Sequence, residues 1–169
     1  MRQVLQHPNS KLRDKSKDVK EDELETSSFK ALLHEMRGLL SITKDGIALA
    51  APQIGVLKRV FVISPKVYEY GYPKGETLIY INPVIKKKST KKSEFFQGCL
   101  SVRNIFGNVR RSEKVTIEAI DESGKKFTRG ASGLVAEIFQ HEIDHFDGKL
   151  FIDDAKDLRE ILPESEGKD

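Results

Sequence analysis

The stretch Gln140-His141-Glu142-Ile143-Asp144-His145 holds the residues of this chain best suited to chemistry. Two histidines four apart, with a glutamate after the first, form an HExxH pattern. On a helix, residues four apart share one face, a turn apart. Both imidazoles then reach a single metal ion, and Glu142 projects beside them. A divalent ion held there polarises a water, and the carboxylate is placed to take its proton.

Catalytic metal sites usually have three protein ligands and one open position. An extended HExxHxxGxxH motif is one source of the third ligand. This chain matches its glycine with Gly148 but has Phe151 where the last histidine would stand. A glutamate from the C-terminal end is another source, and Glu160, Glu164 and Glu166 are available there. The remaining option is Cys99, the sole cysteine, in Gln97-Gly98-Cys99-Leu100-Ser101.

Positioning these groups requires a helix under the histidines. Leu134, Val135, Ile138 and Phe139 recur at helical spacing, Ser132-Gly133 can start the helix, and Gly148 can stop it. Apolar residues and ligands share this helix, which places it at the centre of the fold. An earlier amphipathic helix begins at Ser27 or Ser28, with Phe29, Leu32, Leu33, Met36, Leu39 and Leu40 on one face. Residues 1–25 read as an irregular surface arm in which His7 lies in a loop, and His34 reads as solvated.

Strand patterns follow over residues 59–63 and 77–81, with Asn82-Pro83 as an interruption before Val84-Ile85. Residues 114–120 alternate, turn at Asp121-Glu122-Ser123-Gly124 and return as a hairpin. The expected class is α+β, antiparallel and mixed β-sheets around a central HExxH helix, in one domain over 1–169 with a short charged tail after about residue 154.

Composition sets limits on partners. Charged residues make up 33% of the chain, yet the net charge is only +3, so no nucleic-acid partner is demanded. Lys86-Lys87-Lys88 and Lys91-Lys92 read as a solvated loop. One cysteine excludes an intramolecular disulfide and suits a reducing compartment. With no apolar run of membrane-spanning length and no secretory core at the start, the expected location is cytoplasmic, a processed organellar form being the alternative.

Three segments stand in order: Gly46-Ile47-Ala48-Leu49-Ala50-Ala51-Pro52-Gln53-Ile54-Gly55, then Gln97-Gly98-Cys99-Leu100-Ser101, then Gln140 to His145. Together they resemble the three signature motifs of the peptide deformylases, and the likeness extends from about residue 4 to 154. The resemblance implies a hydrolase that removes formyl from the N-terminal formylmethionine of newly made polypeptides, met near the ribosome exit, without a membrane. It implies Cys99, His141 and His145 as ligands of one divalent metal, Fe(II) in the cell with nickel, cobalt or zinc as substitutes. Glu142 would be the general acid and base, and Gln53 and the Leu100 N–H the oxyanion donors. Gly46, Ile47, Ala48, Leu49 and Gly98 would border the substrate, with Leu134 and Ile138 as walls for its methionine side chain.

Three positions depart from the family pattern. Ala48 stands for a glycine, Gln97 for the glutamate before Gly-Cys, and Arg103 for a common proline. Replacing that glutamate by Gln97 removes a charge and would weaken a contact with an arginine such as Arg111. Two other functions compete with the resemblance: an HExxH peptidase with a tail glutamate as third ligand, and a non-catalytic deformylase-like peptide-binding protein.

Overall fold

The computed structural model describes residues 2–162, so Glu164 and Glu166 lie outside the described residues. A single helical turn, α1 (Glu21–Leu24), precedes α2 (Ser27–Ser41). Three strands follow, β1 (Ala48–Ala50), β2 (Val60–Ile63) and β3 (Ile79–Lys88). After them come β4 (Lys92–Cys99), β5 (Val102–Ser112), β6 (Lys114–Ile120) and β7 (Lys126–Ser132). The chain ends on α3 (Gly133–Phe146) and β8 (Lys156–Glu160).

The strands form two antiparallel sheets, one ordered β1-β2-β3-β6-β7 and one ordered β4-β5-β8. The first sheet is covered on both faces, which explains why all four residues of β2 are buried. Successive strand side chains point to opposite faces. Val60 and Val62 accordingly pack with α2, through Leu32, Leu33, Met36 and Leu40. Phe61 and Ile63 pack on the other side with Phe139 and Phe146 of α3. Phe61 stacks on Tyr80 at 4.7 Å, and Phe139 lies 5.0 Å from Tyr80, both distances between ring centroids. Burying each such side chain stabilises by roughly 1.5–3 kcal/mol, so α3 is held chiefly by its apolar flank. That leaves its other face free to carry chemistry.

Several sequence expectations are corrected. Asn82-Pro83 does not end a strand: β3 runs through, with its register to β6 shifting between Ile81 and Val84, and Asn82 sits at φ 49°. This is a bulge, in which an extra residue bends a strand without ending it. The lysines of 86–88 and 92 lie on strand ends and are exposed, not in a loop. β5, eleven residues long, has no clear alternation and was not anticipated. The segment after residue 154 is not simply a tail, because β8 pairs with β5.

Just past the end of α3, position 148 calls for glycine for two reasons. Its φ is +70°, and a Cβ there would stand 2.2 Å from the Arg13 carbonyl oxygen. Among the described residues no helix is long and apolar enough to cross a membrane.

Candidate active site

Three elements converge beside one face of α3. β4 ends at Cys99, the 310 turn Ala51–Ile54 supplies Gln53, and α3 supplies His141, Glu142 and His145. They border a cleft of about 460 Å³ whose lining includes Cys99, Leu100, Gln53, His141 and Glu142. Gly46, Ile47, Ala48, Gly98, Leu134 and Ile138 also line it, as the sequence suggested. Leu49 does not: it is fully buried in the α2-side core, because neighbouring strand residues point to opposite faces.

The ligating atoms of Cys99, His141 and His145 all lie within 4.8 Å of one another. Cys99 Sγ is 3.5 Å from His145 Nε2, and the two imidazole centroids are 5.1 Å apart. Among the described residues this is the one group of three potential ligands so close together. Burial pushes His145 down to about 3 and His141 well below its ordinary value, each helped by the Arg111 charge. Both rings are therefore neutral near pH 7, the form that binds metals. The same burial, with the Glu142 charge, pushes the Cys99 thiol up to about 12.

Glu142 is 5% exposed, and its Oε2 has no hydrogen-bond partner in the protein. Burial raises its carboxyl to about 8, against the lowering effect of Arg111. A buried polar atom without a partner is costly unless a water, ion or ligand satisfies it. This orphan stands beside a thiol and two neutral imidazoles, and the set fits one divalent metal with a water.

Among the described residues, neither Phe151 nor Glu160 joins the group of potential ligands. The Phe151 ring packs near-parallel to His141 at 6.2 Å. Glu160 lies on β8 opposite Ile105 and is exposed.

Hydrogen bonds from outside the cleft fix these groups. The Ala50 N–H donates to Gln53 Oε1 at 2.8 Å, which turns Gln53 Nε2 toward Ser101 Oγ (3.1 Å) and Cys99 Sγ (3.5 Å). Ser101, fully buried, was not anticipated as a site residue, although it closes the QGCLS segment; its N–H donates to Cys99 Sγ at 3.4 Å. The N-terminal arm is not a loose covering. Leu5 N–H donates to the Gln53 carbonyl (2.7 Å), His7 N–H to the Ser101 carbonyl (2.8 Å), and Gln6 Nε2 to the Leu100 carbonyl (2.8 Å). His7 itself is exposed, as is His34.

Arg111 clamps β4 to α3. Its Nη1 pairs with Asp144 at 2.7 Å, while Nε and Nη2 donate to Gln97 Oε1 at 3.4 and 3.2 Å. Both bonds end on one neutral amide oxygen, so this side of the clamp lacks the charge assistance of the Asp144 pair. Gln140, beside His141, accepts from Ser112 N–H and donates to the Ser112 carbonyl, tying the helix to β5. At the cleft mouth Phe96 stacks on Phe106 at 5.7 Å. Gly98 is required beneath them, since a Cβ there would meet Phe106 at 2.5 Å.

Two antiparallel sheets round an HExxH helix, with a cysteine from a strand end beside its histidines, define a class of metal-dependent hydrolase. The chain matches the polypeptide deformylase family over residues 1–160. It is 40% identical over 154 residues to peptide deformylase 2 of Clostridium acetobutylicum, covering 90% of this chain and 94% of that protein. Among solved structures it superposes on a peptide deformylase from Legionella pneumophila with a TM-score of 0.81 and 38% identity, covering 93% and 87% of the two chains. A Met-Ala-Ser-bound peptide deformylase from Acinetobacter baumannii gives a TM-score of 0.81 at 27% identity, covering 91% and 98%. The chain belongs to the peptide deformylase family, metal-dependent enzymes that hydrolyse the N-formyl group of polypeptides.

Proposed function

We propose that Cys99, His141 and His145 hold the metal, iron(II) in the cell with nickel, cobalt or zinc as substitutes, and that Glu142 handles the protons of deformylation. The observation that carries this reading is the orphaned Glu142 carboxyl beside three converging ligands at the cleft floor. A soft thiolate with two imidazoles suits these metals and is a poor cage for magnesium or calcium. When bound, such an ion polarises a carbonyl and lowers the pKa of a water.

The residues of the chain supply the remaining steps. Glu142 takes a proton from the water that attacks the formyl carbon. Gln53 Nε2, held by its Oε1 contact to Ala50, donates to the oxyanion as it forms, and the Leu100 N–H is the second donor. Glu142 then gives its proton to the departing amine. The C–N bond breaks, leaving formate and a peptide with a free amino terminus. In this reading the substrate is a formylmethionyl nascent chain met at the ribosome exit, in the cytoplasm of a cell that starts synthesis with formylmethionine. The whole chain, 1–169, acts as one catalytic domain, with β8 supplying a sheet edge and no ligand.

The direct test is formate release from formyl-Met-Ala-Ser by protein reconstituted anaerobically with iron or nickel. Stoichiometrically metallated protein without turnover would instead support a peptide-binding protein that has lost catalysis. Gln53→Ala is expected to lower kcat/KM by about a hundredfold or more, mostly in kcat. Steady-state kinetics on the same peptide check this; a change confined to KM would remove Gln53 from the oxyanion role.

Metal uptake should also depend on pH in a set direction. The metal-free Cys99 carries its proton throughout the neutral range because burial pushes the thiol up to about 12. Binding as thiolate releases that proton, whereas the two imidazoles are already neutral. Affinity should therefore rise about tenfold per pH unit between roughly pH 6.5 and 8. Competition with a chelator of known affinity measures it; a flat profile would mean that the thiol is not a ligand.

A further inference from the structure

The α3 wall of the cleft contains a residue that sequence reading passed over. Leu134, Ile138, His141 and Glu142 share the cleft face at helical spacing, and Glu137 lines the same face one turn before His141. An acidic side chain is unexpected in a wall otherwise built to take methionine. The Glu137 carboxyl lies near the Gln97 amide and feels the Arg111 charge, but the Arg111 guanidinium spends its hydrogen bonds on Asp144 and Gln97. Gln97 brings a second anomaly. It is 2% exposed, and its buried Nε2 makes no direct hydrogen bond, although the Glu137 carboxyl lies near it.

The position of the pair follows from the reaction. With the formyl carbon at His141 and Glu142, the first residue's Cα lies two bonds away. A side chain of methionine length then reaches about one helical turn, ~5.4 Å, further along the cleft. Along α3 that distance ends level with Glu137 and Ile138. At that depth α3 presents Leu134 and Ile138 beside the Glu137 carboxyl, and β4 adds the Gln97 amide.

We infer that Glu137 and Gln97 form a polar end to the first-residue pocket, extending the substrates to N-formyl peptides whose first side chain ends in a hydrogen-bond donor, glutamine or lysine. The carboxyl accepts from the donor of the bound side chain, and Gln97 Nε2 donates to the same carboxyl or to a glutamine oxygen. Burial already raises the Glu137 carboxyl to about 6, so an entering donor relieves an existing cost. This inference rests on the deformylase reading and adds the class of first residue accepted.

The test uses the metallated enzyme and formyl-X-Ala-Ser peptides with X as methionine, norleucine, glutamine or lysine. Formate release is measured for wild type, Glu137→Gln and Glu137→Leu. Wild type is expected to turn over the glutamine and lysine peptides within roughly tenfold of the methionine peptide. Glu137→Leu should lower both by roughly tenfold or more relative to the methionine peptide measured in the same variant, chiefly through KM. Glu137→Gln should retain the glutamine peptide and lose the lysine one. Equal ratios in all three proteins would overturn the inference while leaving deformylation of methionine intact. Failure of wild type on the methionine peptide would instead overturn the parent reading and this one with it.

Discussion

Glu142→Gln is expected to lower kcat/KM for formyl-Met-Ala-Ser by on the order of 10²–10⁴-fold while leaving the metal bound. The substitution keeps size and hydrogen bonding but removes the ability to take and return a proton. Glu142 Oε2 has no protein partner, so no structural bond is broken by the exchange. The rest of the site is anchored independently, through Arg111 to Asp144 and through Gln140 to Ser112. Thermal stability should therefore be unchanged or rise, since a buried carboxyl raised to about 8 by burial is replaced by a neutral amide. Metal content and Tm measured beside the kinetics separate a lost base from a lost site. A variant that keeps more than a tenth of wild-type turnover would remove Glu142 from the proton-transfer role.

The second large effect belongs to Cys99→Ser. Removing the thiolate leaves only the two histidines of the group, and a serine hydroxyl is a poor replacement for a soft ligand. Metal affinity should fall by at least about a hundredfold, beyond what loss of an outer-shell partner costs. Activity should fall with it and recover only partly at high metal concentration. The fold should persist, because Cys99 sits at the end of β4 and its neighbours are held by Gln6, Ser101 and Arg111. Metal content after dialysis, with circular dichroism of the same sample, is the check. Full retention of metal would revive a ligand from elsewhere, which among the described residues has no geometric support.

The resemblance of three ordered segments was sufficient to reach the family, and comparison over residues 1–160 agrees. Local pattern also carried α2, α3 and the β6–β7 hairpin, because amphipathic period and turn chemistry are properties of short windows. It could not carry β5 or β8. β5 alternates poorly, with a register shift in each of its pairings, and β8 is exposed along its length, so neither leaves a hydrophobic period to read. Asn82-Pro83 misled for a related reason: a bulge and a strand end use the same residues, and only the pairing of β3 with β6 tells them apart.

The site divides along the same line. His141, Glu142 and His145 were fixed by their own spacing, since the helix repeat alone puts the two histidines on one face. Glu137 was equally legible on that repeat, one turn before His141, but an apolar pocket was expected and an acid was passed over. The choice among Cys99, Phe151 and a tail glutamate could not be made from spacing, because each lies on a different element. Among the described residues, tertiary structure brings Cys99, and neither Phe151 nor Glu160, to the two histidines. The end of β4, clamped through Gln97 and Arg111 to Asp144, brings Cys99 Sγ to 3.5 Å from His145 Nε2, whereas pairing with β5 holds Glu160 on an exposed strand. Leu49 and Ser101 were decided in the same way, one turned into the α2 core and the other drawn under Gln53. Sequence determined the residue types and the helical face, which depend on near neighbours along the chain. Which distant groups met there depended on sheet pairing and packing, which no short window contains.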